Sequence, residues 1–154
     1  MNRIALHGSS VVAQQCGYHP QNGWANCVRA ASEYYRPLET FAEHFQRLVL
    51  AVRALGYDAL DVWQTAQLDW RWATAEQIDH AREPLIRHNM ALTGYAGELG
   101  ETRQEFQDAC AVARDIHAPL LSGTTRLLFD DRAFVVTTLL DHDPTPELGA
   151  ALSL

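Results

Sequence analysis

The sequence predicts an α/β fold in which short strands alternate with helices and pair into one parallel sheet. Segments of helical period, several with recognisable caps, are followed by short apolar segments of strand length. The second and third helix-plus-strand units each take about 30 residues, the usual size of a β/α repeat. About four such units are visible along the chain, and we interpret residues 1–154 as a single domain.

The first unit combines a clear strand with a segment that is harder to interpret. Residues 3–7 (RIALH) have the length and composition of a strand. The long stretch that follows contains Gly, Asn, Gln and Pro without a clear period, and we interpret it as an elaborated loop with a short helix near residues 25–34. The next helix is predicted by a capping box at Thr40 and Glu43, by an apolar stripe, and by Gly56 at its C-cap.

The second and third units repeat these signals. Two later helices begin with threonine and an amide or acid three residues on, the spacing of a capping box: Thr74 with Gln77, and Thr102 with Glu105. Pro84 predicts a kink in the first of them. The remaining strands are predicted at residues 59–63 (ALDVW), 90–95 (MALTGY) and 119–123 (PLLSG).

The pattern weakens towards the end of the sequence. Asp130 is a possible cap for a fourth helix over residues 132–140. Residues 141–154 (DHDPTPELGAALSL) contain two prolines and no good strand, and we interpret them as a divergent tail. A closed barrel of eight units takes about 250 residues, so the sequence predicts about half of one.

Composition limits the class of protein and its partners. The chain is 47% hydrophobic and 20% charged, with a net charge of −7. Because its arginines are scattered singly, we expect no nucleic-acid partner. No segment reaches the roughly 18 apolar residues of a membrane span, and residues 1–10 lack signal-peptide features, so we expect no membrane partner and a cytoplasmic location. Cys16, Cys27 and Cys110 show no CxxC spacing, which favours buried free thiols.

The absence of lysine restricts the available chemistry. All 12 residues in the combined count of lysine and arginine are arginines. This excludes a Schiff-base lysine, a phosphate-loop lysine and a lysine base. Proton transfer would therefore depend on carboxylates, histidines, tyrosines or a metal-bound water.

A series of segments carries a resemblance to a known family. In chain order they are LHGSS after the first strand, FAEHF and VRALGYDALDVW, MALTGYAGELG, and EFQDACAVARDIHAPLLSG. In this order they resemble the sugar phosphate isomerase/epimerase family, which are TIM barrels of the xylose isomerase-like type. The resemblance covers roughly residues 1–128, and it implies half of a TIM barrel by the unit count of that fold.

The resemblance also implies a metal, which this chain is not expected to hold. Full-length family members are expected to bind Mn, Mg or Zn through two glutamates, an aspartate and a histidine from the second half of the barrel. Here the corresponding segment reads HDPTPELGAAL, and Glu147 follows two prolines rather than an apolar strand. We therefore expect no metal ligand and no cofactor in this chain, and no sugar turnover by the chain alone.

The first candidate substrate-binding residues lie where two strands end, since barrel chemistry gathers at the carboxyl ends of strands. His7 ends the first predicted strand and either faces the pocket or caps the strand. Asp61 and Trp63 share one face of their strand by its two-residue period. They are either a hydroxyl acceptor beside a stacking surface, or a core acid beside a packed indole.

Further candidates follow the third and fourth strands. Tyr95 and Gly97 are predicted substrate-binding residues, because Gly97 and Gly100 permit close approach of a ligand to the backbone. A simple turn explains these residues equally well. Glu98 is a weak candidate for a general base if it is desolvated, and otherwise a solvated loop acid. Ser122 is predicted to bind substrate as part of a hydroxyl-rich segment after the fourth strand.

Two functions from different classes are consistent with these features. The first is a sugar phosphate isomerase/epimerase-like protein of carbohydrate metabolism, whose family performs aldose–ketose isomerisation or ketose epimerisation by proton transfer. The alternative is a truncated, catalytically inactive half barrel that acts as a binding or assembly module. In either case we expect a small-molecule sugar or sugar phosphate as ligand, and a homo-oligomer, because a half barrel leaves strand edges open.

Overall fold

The computed structural model describes residues 4–15, 18 and 23–126. Within them strands alternate with helices, which confirms the α/β prediction. The elements in chain order are β1 (Ala5–His7), α1 (Gly8–Gln15), α2 (Trp24–Tyr35), α3 (Leu38–Ala54), β2 (Ala59–Trp63), α4 (Gln64–Gln67), α5 (Ala75–Arg87), β3 (Ala91–Glu98), α6 (Arg103–Asp115) and β4 (Leu121–Thr124).

The strands form one parallel sheet in the order β1-β2-β3-β4. Each strand therefore pairs with the next strand in the sequence, as in a partial β/α repeat fold. The ladder between β2 and β3 contains a bulge: Leu60 pairs with Leu92, but Asp61 pairs with Gly94, so Thr93 is an extra residue. The bulge changes which side chains of β3 share a face with β2.

The main core lies between one face of the sheet and the helices α3 and α5. Leu60 and Val62 of β2 are fully buried there, together with Phe41 and Phe45 of α3 and Ala81 of α5. Parallel strands usually have both faces covered and are rich in apolar residues. On β2, however, Asp61 and Trp63 alternate with these buried residues and are only partly buried, so the two faces differ, as the sequence predicted.

The helix caps agree with the sequence in most places. The capping boxes at Thr74 with Gln77 and at Thr102 with Glu105 are both present, and Pro84 lies inside α5. Gly56 has φ +88, and its N–H donates to Arg53 O while the next N–H donates to Val52 O, which together form a Schellman motif.

Two predictions near the start of the chain are wrong. Residues 8–15, interpreted as loop, form α1, which is held by burial of Val11 and Val12 rather than by a strong helical signal. The predicted capping box at Thr40 and Glu43 does not form, because Pro37 is the N-cap and α3 begins at Leu38. The ring of Pro37 fixes its φ at −65°, which is compatible with a helix start, and no side-chain capping bond forms there.

The remaining expectations are partly covered by the structure. Cys27 and Cys110 are buried, as predicted, and burial raises the pKa of Cys110 to about 12. None of the helices within the described residues is long and apolar enough to cross a membrane. Cys16, the cap at Asp130, the helix predicted over 132–140 and the tail 141–154 lie outside the described residues.

Candidate functional site

The carboxyl end of the sheet brings together most of the side chains that the sequence marks as candidates. Paired residues on neighbouring parallel strands project to the same face. The face opposite α3 and α5, which we call the inner face, carries His7, Asp61, Trp63, Ala96, Glu98 and Ser122. Five of the predicted site residues therefore share one surface.

His7 presents a defined ring nitrogen to Asp61. Its Nδ1 lies 2.7 Å from the Ser9 hydroxyl and accepts a hydrogen bond from the Ser9 backbone N–H at 3.1 Å. Because a backbone N–H can only donate, the neutral ring carries its proton on Nε2. That nitrogen lies 4.0 Å from Asp61 Oδ2, so a polarised N–H faces the carboxylate.

Asp61 has one oxygen near His7 and one oxygen enclosed by protein. Its Oδ1 is buried and has no hydrogen-bond partner within the described part of the chain, although the side chain as a whole is 25% exposed. Burial raises the pKa of this carboxyl above its usual value, and the charge interaction with His7 opposes the rise. Because buried polar atoms are normally hydrogen-bonded, an acid in this state is a candidate for function.

Trp63 combines packing with partial exposure. It packs against the small cluster of Val12, Cys27, Ala31 and Ala66. Its ring centroid lies 6.3 Å from that of His7. It also stacks on Trp24 at 5.7 Å and 14°. Sequence reasoning missed Trp24, which follows Gly23 as the first residue of α2 and is 43% exposed.

Tyr95 and Gly97 do not lie on the inner face, which corrects their assignment as substrate-binding residues. Tyr95 pairs with Val62, is fully buried, and donates its hydroxyl hydrogen bond to Leu68 O at 2.7 Å. Burial raises its pKa well above the usual value. A Cβ at Gly97 would lie 2.6 Å from Gln64 Oε1, so this glycine makes room for a protein side chain. The bulge at Thr93 is the reason, because it moves both residues to the opposite face.

Glu98 is an ion-pair partner with little burial. Its carboxylate lies 3.1 Å from Arg71, and its side chain is 63% exposed. The desolvation that a general base at this position needs is therefore missing within the described residues. The same arginine also binds the buried Asp69 through its backbone N–H and its guanidinium, both at 2.9 Å, and lies over the Trp70 ring at 4.5 Å.

Two glutamines of α4, also missed from the sequence, hold the ends of three strands in place. Gln67 accepts a hydrogen bond from Trp63 N at 2.9 Å and donates one to Gly8 O at 3.0 Å. Gln64 accepts from Glu98 N at 2.9 Å. Both side chains are fully buried. The QTAQ segment after β2 was the available signal, since buried amides bond to backbone groups.

Ser122 lies on the inner face at the edge of the described sheet. It pairs with Ala96 and is exposed, as are Gly123 and Thr124 beside it. No hydrogen bond in the described residues fixes its hydroxyl to a particular partner. Its position is consistent with ligand contact but is not organised in the way that His7 is.

The described residues do not fit a divalent metal. No group of three or more His, Cys, Asp or Glu side chains within them is arranged to hold one. His7 with Asp61 supplies two ligands, whereas Mn, Mg and Zn sites use more converging donors. We therefore derive no chemistry from a metal at the inner face.

Comparisons with protein-family models, with curated proteins and with solved structures find no match. The geometry of the inner face is therefore the basis for inferring a function.

Proposed function

We propose that the chain binds a sugar or sugar phosphate on the inner face and supplies His7 and Asp61 for proton transfer between adjacent carbons. This is the reaction class of the sugar phosphate isomerase/epimerase family that the sequence resembles. The proposal includes the finer fold type, in which the β/α units form half of a TIM barrel of the xylose isomerase-like type. One observation supports it most: the enclosed carboxylate of Asp61 beside the Nε2 of His7.

The distance between these two groups suits a bridging ligand hydroxyl. A separation of 4.0 Å between His7 Nε2 and Asp61 Oδ2 is too long for a direct hydrogen bond. An oxygen placed between them can lie about 2.8 Å from both atoms. A hydroxyl there accepts a hydrogen bond from His7 and donates one to Asp61. The pair can therefore hold a sugar hydroxyl and move its proton.

The environment of Asp61 favours a role as the base. Partial burial raises the pKa of the carboxyl, which makes its ionised form a stronger proton acceptor. His7 can donate a hydrogen bond from Nε2 to the oxygen that gains charge. Asp61 is therefore the proposed general base, the role for which the sequence made Glu98 a candidate. The Glu98 carboxylate is exposed and paired with Arg71.

Ligand binding and proton transfer can be tested separately on the purified chain of residues 1–154. Calorimetry with ketoses, aldoses and their phosphates measures binding. Proton nuclear magnetic resonance in D₂O then measures deuterium entry at the carbon next to the carbonyl, with EDTA or with added Mn, Mg or Zn. Saturable binding with exchange that is lost in Asp61→Asn is the expected result for proton transfer.

The control is a second acid at the other end of the same strand. Asp58 precedes β2 and is exposed, so Asp58→Asn changes the charge by the same amount away from the inner face. Equal effects of the two substitutions, or no binding of any sugar, would remove the basis of the proposal. Binding without exchange would favour the alternative of a catalytically inactive module, and would agree with the expectation that the chain alone turns over no sugar.

A second candidate, an assembly module, is favoured by the open edges of the sheet. Within residues 4–126 as described, β1 and β4 each pair with one neighbour. Ile4 and Leu120, next to these strands, are 75% and 50% exposed. A second copy could pair its β1 with this β4 and complete the eight strands of a barrel. Sedimentation velocity at micromolar concentration tests this homo-oligomer, and a folded monomer at all concentrations would contradict it.

A further inference from the structure

Gly94 faces the Asp61 carboxyl directly across the ladder between β2 and β3. The two residues are paired in the sheet. A Cβ on Gly94 would lie 2.7 Å from Asp61 Oδ1 and 3.3 Å from its Cγ. The first distance is shorter than real Cβ contacts, so any other residue at this position would displace the carboxyl. Since the φ of Gly94 is not in the left-handed region, the glycine is needed for space and not for backbone conformation.

The bulge at Thr93 brings Gly94 to this position. Without the extra residue, Thr93 would pair with Asp61, and a β-branched side chain would occupy the same space. In the observed register, the Thr93 hydroxyl donates instead to Leu60 O at 3.2 Å, and Gly94 follows on the inner face. Bulges often re-aim side chains beside active sites.

We infer that Gly94, placed by the bulge at Thr93, is a positioning residue that seats Asp61 Oδ1 against the backbone of β3 and turns Oδ2 towards His7. This inference builds on the role proposed for Asp61. It explains why Oδ1 is enclosed without a donor in the described residues. The space that a Cβ on Gly94 would fill lies 2.7 Å from this oxygen, and no described residue donates a hydrogen bond to it, so Oδ1 is desolvated and receives no compensating hydrogen bond.

The position of Asp61 Oδ1 next to Gly94 affects the protonation of Asp61. Burial is the main cause that raises the pKa of this carboxyl, and His7 from β1 opposes it. Gly94, which packs against Asp61 from β3, has no titratable group. His7 is therefore the titratable neighbour of Asp61 to consider among the described elements around it. Displacing the carboxyl into solvent would restore its hydration and lower its pKa.

Carbon-13 nuclear magnetic resonance of the aspartate carboxyls in the chain of residues 1–154 tests this inference without any ligand. The Asp61 signal is assigned by its loss in Asp61→Asn. In Gly94→Ala we expect the pKa of Asp61 to fall towards that of an exposed aspartate, about 3.9. A folded Gly94→Ala chain with an unchanged pKa at Asp61 would overturn the inference.

A matched pair at Thr93 keeps the test decisive if Gly94→Ala does not fold. Thr93→Val keeps the shape but loses the hydrogen bond to Leu60 O, so it should loosen the bulge and lower the pKa of Asp61 by a smaller amount. Thr93→Ser keeps the hydroxyl and should leave that pKa unchanged. Equal pKa values in both variants would count against a bulge that positions Asp61.

The same variants separate this inference from the proposed function. If the unmodified chain binds a sugar, Gly94→Ala should weaken binding roughly tenfold through the misplaced hydrogen bond. A lowered pKa of Asp61 in a chain that binds no sugar would support the positioning role of Gly94 and count against the proposed function. An unchanged pKa of Asp61 in Gly94→Ala, with intact sugar binding, would count against the positioning role alone.

Discussion

Asp61 in β2 and Asp69, which follows α4, are two acids that differ in how their oxygens are hydrogen-bonded. Asp69 is 7% exposed, and Arg71 donates to both of its oxygens at 2.9 Å. Asp61 is 25% exposed and has His7 at 4.0 Å, and its Oδ1 has no donor in the described residues. Burial raises the pKa of both carboxyls.

The difference separates an acid that holds structure from an acid that is available to a ligand. The bonds of Asp69 join its own turn to Arg71, which then reaches Glu98 at the end of β3. A ligand would have to break these bonds to use Asp69. Asp61 gains hydrogen bonds when a hydroxyl arrives, so binding there relieves part of its desolvation cost. A raised pKa alone would not distinguish the two.

The largest expected effect comes from making the same substitution at both acids. Asp69→Asn should lower the free energy of unfolding by about 1–3 kcal/mol, because an amide offers one acceptor where Arg71 uses two. Since burial already opposes the charge of Asp69, the cost arises from the lost acceptor rather than from the lost charge. Asp61→Asn should change stability by less than about 0.5 kcal/mol. Urea denaturation at pH 7 measures both.

Arg71→Met gives an independent check on this assignment. It removes the other side of the Asp69 interaction, retains the apolar stem that packs near Trp70, and should cost a similar amount. Equal stability losses at Asp61 and Asp69 would show that the two acids do not differ in the way proposed.

A smaller loss is expected from the hydroxyl of Tyr95. Tyr95→Phe removes the donor to Leu68 O and leaves a buried carbonyl unpaired, which typically costs about 1–2 kcal/mol. Sugar binding should be retained, because Tyr95 lies on the face towards the helices. Tyr18, which is 68% exposed, provides the control: Tyr18→Phe should leave thermal stability unchanged. Loss of binding in a folded Tyr95→Phe chain would restore Tyr95 to the site.

Strong local signals predicted the α/β class and several of its elements. The strand over residues 59–63 and the capping boxes at Thr74 and Thr102 follow directly from alternation and cap spacing. α1 was not predictable in the same way, because Gly8 and neighbouring valines disfavour a helix locally and burial of Val11 and Val12 outweighs them.

The sequence predicted the residues of the site only where it also predicted how the strands pair. His7 and Asp61 meet because parallel strands end at one edge of the sheet, which the sequence implies. Tyr95 and Gly97 were expected to follow the third strand, but β3 continues to Glu98. Nothing local in MALTGY indicates the extra residue at Thr93, and a shift of one residue moves every later side chain across the sheet. The contacts of Arg71 with Asp69 and of Trp24 with Trp63 could not be predicted, because residue spacing does not reveal tertiary contacts.

The pH dependence of stability should distinguish Asp61 from an exposed acid. An aspartate with a higher pKa in the folded chain binds protons more readily there, so it favours folding below its unfolded pKa of about 3.9 and opposes it above both values. The stability of Asp61→Asn relative to the unmodified chain should therefore increase as pH rises from about 3 to about 6. Urea titrations across this range measure it. A difference that does not vary with pH would contradict the direction of the pKa shift.

The smallest expected effect on stability, with a measurable effect on binding, concerns Trp24. Its ring is 43% exposed and stacks on Trp63, so Trp24→Ala should cost no more than about 1 kcal/mol. If the aromatic pair borders the sugar site, this variant should weaken the binding of ring-closed sugars by about three- to tenfold. The binding of open-chain polyols should weaken by less, because only a closed ring offers a flat C–H face. Tyr34 is the matched control, since it lies on the same helix and stacks on His44 at 3.6 Å. Tyr34→Ala should leave sugar binding unchanged; equal losses in the two variants would mean that α2 acts through stability, whereas a loss confined to Trp24→Ala extends the inner-face site from Asp61 to the start of α2.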